Sequence, residues 1–211
     1  MDYTNAFGAE FREVQGRTHE GKDVRVVVGT RVFTTDRDDL WNALTDAERI
    51  PRWFLPITGQ LECGGRYQLE GNAQGSILRC DRPEALEVTW EFGGHVSWVH
   101  LRLAQAGGGT RLTLEHLVPK DEASDEHWKQ YGPGAAGVGW DLSFLGLALH
   151  LDSGGQAIDR KKNDAWMASD DGKAFMRTSA KLWGEAHVKG GEDPEVAEAM
   201  ARKTADFYTG A

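Results

Sequence analysis

Between residues 24 and 118, apolar and polar positions alternate, and turn-forming residues interrupt them at short intervals. That is the pattern of strands with one buried face. The spacing predicts strands over residues 24–33, 60–70, 74–81, 86–92, 95–104 and 110–118, with a short one near 11–14. No helix-length segment separates the last five, so they follow one another as hairpins of an antiparallel sheet. Elsewhere the period lengthens to that of helices. Thr35-Asp36-Arg37-Asp38 opens one whose apolar stripe is Leu40, Trp41 and Leu44. A second, short helix starts near Asp46 and ends before Pro51. A third spans 137–151 and stops at Asp152-Ser153-Gly154-Gly155. Two more cover 170–188 and 193–208, the last opened by Asp193-Pro194.

The turns fix a register. Gly93-Gly94 as a two-residue turn pairs Phe92 with His95, Trp90 with Ser97, Val88 with Val99 and Leu86 with Leu101. Gly107-Gly108 independently pairs Leu103 with Leu112, Leu101 with Leu114 and Val99 with His116. Together they gather Leu86, Val88, Trp90, Val99, Leu101, Leu103, Leu112 and Leu114 on one face, and a one-residue slip would scatter that set. Ser97 and His116 are the polar residues on this face, both near one end. The helix at 137–151 is apolar nearly all round, from Val138 and Trp140 to Leu149 and Leu151, so it needs cover on most sides. Laying it across the concave face of a curled sheet provides that cover. The expected fold is therefore α+β: a curved antiparallel sheet wrapped around a long late helix, plus a helical extension. We divide the chain into a polar segment 1–23, a sheet-and-helix domain 24–154 and an extension 155–211.

Composition narrows the function. The 211 residues carry 24 Lys and Arg against 33 Asp and Glu, a net charge of −9, which argues against nucleic-acid or anionic-membrane partners. No stretch is apolar enough to insert in a membrane, and residues 1–10 do not read as a signal peptide. Two cysteines, Cys63 and Cys80, exclude a disulfide framework and fit a reduced, cytoplasmic protein. The seven histidines show no metal-ligand spacing, so neither metal nor cofactor is expected. Residues 132–137 match G-x-G-x-x-G, but without the strand and βαβ unit the motif needs. No phosphate-loop or nucleophile-elbow string occurs.

Several strings carry a family resemblance. Asp39-Leu40-Trp41-Asn42-Ala43-Leu44-Thr45-Asp46 followed by Ile50-Pro51-Arg52-Trp53-Phe54, then Gly64-Gly65-Arg66-Tyr67, Arg82-Pro83, Gly109-Thr110-Arg111-Leu112-Thr113-Leu114 and Gly137-Val138-Gly139-Trp140-Asp141-Leu142, resemble the activator of heat-shock protein 90 ATPase group. That group is a branch of the START-like (SRPBCC) superfamily with the helix-grip fold, and the ending Phe207-Tyr208-Thr209-Gly210 is similar to stand-alone bacterial members. The resemblance covers about residues 24–152. It implies a cavity between sheet and grip helix that takes up a small apolar or amphipathic molecule. It also leaves open a cyclase- or hydrolase-like enzyme in the same pocket, and a co-chaperone-like partner of a heat-shock protein 90 homologue. No catalytic signature carries over.

The candidate site is built on that expectation. Trp53, Phe54, Tyr67, Trp90, Trp140 and Phe144 read either as the wall of a pocket for a ring-containing ligand or as plain core. His116 reads as a ligand contact, as an acid or base near neutral pH, or as a core-edge histidine, with Ser97 beside it. Asp141 is either an orienter for His116 or a solvated carboxylate near a helix start. Trp98 points to the opposite face and calls for cover from the C-terminal helices or from a second subunit, hence a possible homodimer. His100 opposite Glu115 reads as a surface pair. A Gly71-Asn72 turn would set Cys63 across from Cys80 as a redox pair.

Overall fold

The computed structural model describes residues 8–211, so the amino-terminal stretch searched for a signal lies partly outside the described residues. The strands are β1 (Phe11–His19), β2 (Lys22–Phe33), β3 (Ile57–Gly59), β4 (Arg66–Leu69), β5 (Gln74–Asp81), β6 (Ala85–Phe92), β7 (His95–Ala106) and β8 (Gly109–Pro119). They form one antiparallel sheet in the order β1-β2-β8-β7-β6-β5-β4-β3. Between β2 and β3 lie α1 (Arg37–Thr45) and α2 (Ile50–Trp53). After β8 come α3 (Glu122–Tyr131), α4 (Gly134–Asp152), α5 (Arg160–Ala168), α6 (Asp170–Lys189) and α7 (Pro194–Thr209).

Both glycine turns pair their strands in the register the alternation requires, from Phe92 opposite His95 to Val99 opposite His116. The inner rows of β6, β7 and β8 thereby face α4. Phe144 and Leu147 of α4 pack with Phe33, Leu40, Trp41, Val99, Leu103, Leu112 and Leu114 in the main core. The other side of α4 meets α6. Gly137 has no side chain because a Cβ there would lie 2.3 Å from the Trp183 ring. Asp36 caps α1 by accepting from Asp39 N at 2.8 Å, and Asp193 caps α7 ahead of Pro194. The helix-grip architecture with its helical extension is thus present.

Five expectations change. The short second helix begins at Ile50 and includes Pro51, because a first-turn proline gives up only an N–H that has no helical partner there. Of the strand expected at 60–70 only Arg66–Leu69 is extended, and a separate short strand, Ile57–Gly59, precedes it. Gly59, with φ of +119°, turns the chain where a Cβ would lie 2.1 Å from Arg66 O, and pairing resumes only at Arg66. The cysteine pairing also shifts, because Leu69 N bonds Ala73 O and Gln68 faces Gln74. Cys63 therefore reaches Leu78 O at 3.7 Å, and both thiols are free. Trp98 needs no cover from the C-terminal helices or from a second subunit, because it is buried within the chain itself. It packs with Val24, Val26, Val28 and Leu117, under the tip of the β1–β2 hairpin. The His19 ring lies edge-on to it at 4.7 Å, and Lys22 Nζ sits 5.8 Å from its centroid. His100 does sit opposite Glu115, with Nδ1 3.8 Å from its carboxylate, but it is buried beneath the same tip rather than at the surface, and Glu115 also pairs bidentately with Arg17 at 2.7 and 3.2 Å. The homodimer expectation loses the exposed ring on which it rested.

Candidate functional site

A cavity of about 140 Å³ lies between the inner rows of the sheet and α4. Leu44 and Thr45 at the end of α1, with Ile50, Trp53 and Phe54 in and after α2, close one side. Tyr67, Leu69, Ile77, Leu86, Val88 and Trp90 form the sheet wall, and Trp140, Ser143, Phe144 and Leu147 form the helix wall. Six of the eight residues singled out from the sequence meet here: Trp53, Phe54, Tyr67, Trp90, Trp140 and Phe144. Ser97 and His116 do not line the space; they are bonded to the wall from behind. Sequence reading missed Ser143, although its spacing from Trp140 and Leu147 puts all three on one helix stripe. It also missed Cys80 as a wall residue; burial raises that thiol's pKa, and Cys63 adds to the effect.

The rings are held from outside the cavity. Trp53 stacks on Phe54 with centroids 5.4 Å apart, and its Nε1 donates to Ala43 O at 2.9 Å. Tyr67 donates its hydroxyl to Thr89 O at 2.7 Å; burial raises its pKa, so it stays a phenol. Trp90 meets Trp140 edge-on at 5.1 Å.

His116 carries the polar chain behind them. Trp140 Nε1 can only donate, so at 3.2 Å it makes His116 Nδ1 the acceptor. Nε2 then bears the proton and donates to Ser97 Oγ at 2.9 Å, and Ser97 Oγ donates to Trp90 O at 3.1 Å. The chain is complete only while the imidazole is neutral. Burial enforces this by pushing its pKa down to about 4. An imidazole with both nitrogens committed positions the two tryptophans; it has no free lone pair to serve as a base.

Asp141 is neither His116's orienter nor a solvated carboxylate. It is fully buried where α4, α6 and the start of β1 meet. Ala9 N donates to it at 2.7 Å, Arg12 through Nε and Nη2 at 3.1 and 2.8 Å, Trp183 Nε1 at 3.1 Å, and Ser179 Oγ completes the set. It is a buried structural anion and takes no part in the cavity. No lining residue comes from beyond Leu147, so the helical extension braces the back of α4. Among the described residues, no group of three or more His, Cys, Asp or Glu is placed to hold a metal, and no helix is long and apolar enough to cross a membrane.

A curved sheet gripping an apolar helix over a ring-lined space defines a START-like helix-grip protein. Residues 34–152 match the family described as Activator of Hsp90 ATPase homolog 1-like protein, and the chain belongs to that family. Among solved structures, the chain is similar to CalU16 from Micromonospora echinospora. Its solution structure is 30% identical, with 87% of this chain and 98% of that one covered and a TM-score of 0.68. Residues up to 152 alone cannot supply that share, so the similarity extends into the helical extension. MLL2253 from Mesorhizobium loti, at 23% identity, 61% and 98% coverage and a TM-score of 0.54, shares the fold. So does EF2215 from Enterococcus faecalis, at 15% identity, 85% and 92% coverage and a TM-score of 0.56. No curated protein matches the chain.

Proposed function

We propose that the protein binds a small apolar molecule in the cavity between the sheet and α4. On this reading residues 24–154 carry the site and residues 155–211 stabilise it. The observation that carries the reading is the void itself. Close-packed interiors leave few gaps larger than a water molecule, whereas this one is about 140 Å³ with several aromatic rings on its wall. An enclosed cavity of about that size, lined by apolar side chains, stays dry and accepts benzene or xenon; this one is partly open to solvent, which gives a ligand its way in.

Thermal unfolding in the presence of decanol, naphthalene and 2-naphthol, paired with native mass spectrometry, tests the reading. A ligand at 100 times its Kd stabilises the fold by about 2.7 kcal/mol, a rise in Tm on the order of 5–10 °C for a chain of this size. An unchanged Tm with all three, together with a bare-chain mass throughout, overturns it.

A further inference from the structure

The polar groups of the wall narrow the ligand further. Thr45 donates to Trp41 O at 2.8 Å, Ser143 to Gly139 O at 2.9 Å and Tyr67 to Thr89 O at 2.7 Å. The indoles of Trp53 and Trp140 donate to Ala43 O and His116 Nδ1. No charged residue lines the space. The cations nearest in sequence to Trp53 are turned elsewhere. Arg49 bonds Asp39, Asn42 and His150, and Arg52 bonds the carbonyls of Glu48 and Gly155. Among the described residues, the Trp90 indole N–H and the weakly donating Cys80 thiol are the wall donors that no bond within the fold uses.

Turned to a guest, that single indole N–H could satisfy no more than one carbonyl or ether oxygen. A carboxylate brings several lone pairs and a full charge, and would lose its water with no countercharge to replace it. The aromatic wall favours a partner that can meet ring faces and edges. The volume limits the guest in this conformation to one or two fused rings, well below the 300 Å³ or more of common ligand sites.

We infer that the cavity takes a neutral, flat molecule of one or two fused rings bearing at most one hydrogen-bond acceptor, and that it excludes carboxylates. This rests on the binding role proposed above and narrows it to a chemical class. The test compares 2-naphthol with 2-naphthoate, which share a skeleton, and with decanol, by calorimetry at pH 7.5 on the full chain. The Leu101→Trp variant, which fills the cavity from β7, locates the site. The expected result is that 2-naphthol binds, 2-naphthoate binds about 100-fold more weakly or not at all, and Leu101→Trp abolishes 2-naphthol binding. Comparable affinity for 2-naphthoate, or tighter binding of decanol than of 2-naphthol, overturns the inference and leaves the binding role standing. Failure of every compound, or undiminished 2-naphthol binding by Leu101→Trp, overturns both.

Discussion

Lowering the pH from 7.5 to 5 should weaken the fold through His116, and by an amount the structure sets. In the unfolded chain this imidazole takes its proton near 6.5; in the fold, burial holds that step down to about 4. Between these values the unfolded chain binds the extra proton and the native chain does not. Stability is therefore full above about pH 6.5 and is lost progressively as the pH falls toward 4. For that displacement the loss by pH 5 is about 2 kcal/mol, and about 3 kcal/mol once the native imidazole is protonated too. Burial also lowers the pKa of His100, His127, His150 and His187, so they add losses of the same sign. His116→Gln separates the contributions. A glutamine can accept from Trp140 and donate to Ser97, but it does not titrate. Urea unfolding of both proteins at pH 7.5 and 5 should show the wild type losing about 2 kcal/mol more than the variant. Equal losses, or an NMR titration of His116 centred near 6.5, would refute the reasoning, and with it the neutral Nε2-protonated imidazole behind the wall.

Other consequences are as specific. Asp141→Ala leaves Arg12 buried without its countercharge and should cost about 3–5 kcal/mol in urea unfolding; a cost under about 1 kcal/mol would contradict the role given to Asp141. Gly137→Ala should improve helix propensity by about 1 kcal/mol, yet its Cβ would meet the Trp183 ring. A net destabilisation, read as a lower Tm, is expected, and a raised Tm would show that α4 and α6 do not approach so closely. Trp140→Phe removes the indole N–H and strands the acceptor of His116, so it should cost about 1–3 kcal/mol and raise the pH at which His116 protonates, both readable by the same titrations.

The parts of the fold legible in the sequence are those fixed by local rules. Gly93-Gly94 and Gly107-Gly108 fix the pairing register of β6, β7 and β8, because each turn type allows one register, while the strand ends run one or two residues further than expected. The apolar run of α4 announces a helix that must be covered. Other elements lack such a signal. β1 has a single buried side chain, Val14, among nine residues, and is held by backbone pairing to β2. α5 buries none, so periodicity has nothing to register there. Trp90 was legible as a wall ring because the inner face of a strand can be counted, and Trp140 and Phe144 because the apolar α4 had to lie on that face, but the volume between them depends on packing that no pattern encodes. Asp141 shows the limit most clearly. Its partners Arg12, Ala9, Ser179 and Trp183 lie 129, 132, 38 and 42 residues away. From position alone, a carboxylate near a helix start looks solvated.

The claim on which the binding role depends is an unfilled, dry space beneath α4. A crystal of the protein pressurised with xenon tests it without presuming a ligand. The account predicts a xenon peak enclosed by Trp53, Trp90, Trp140 and Phe144, with those rings unmoved. Rings rotated inward to close the space, with no xenon between them, would contradict it.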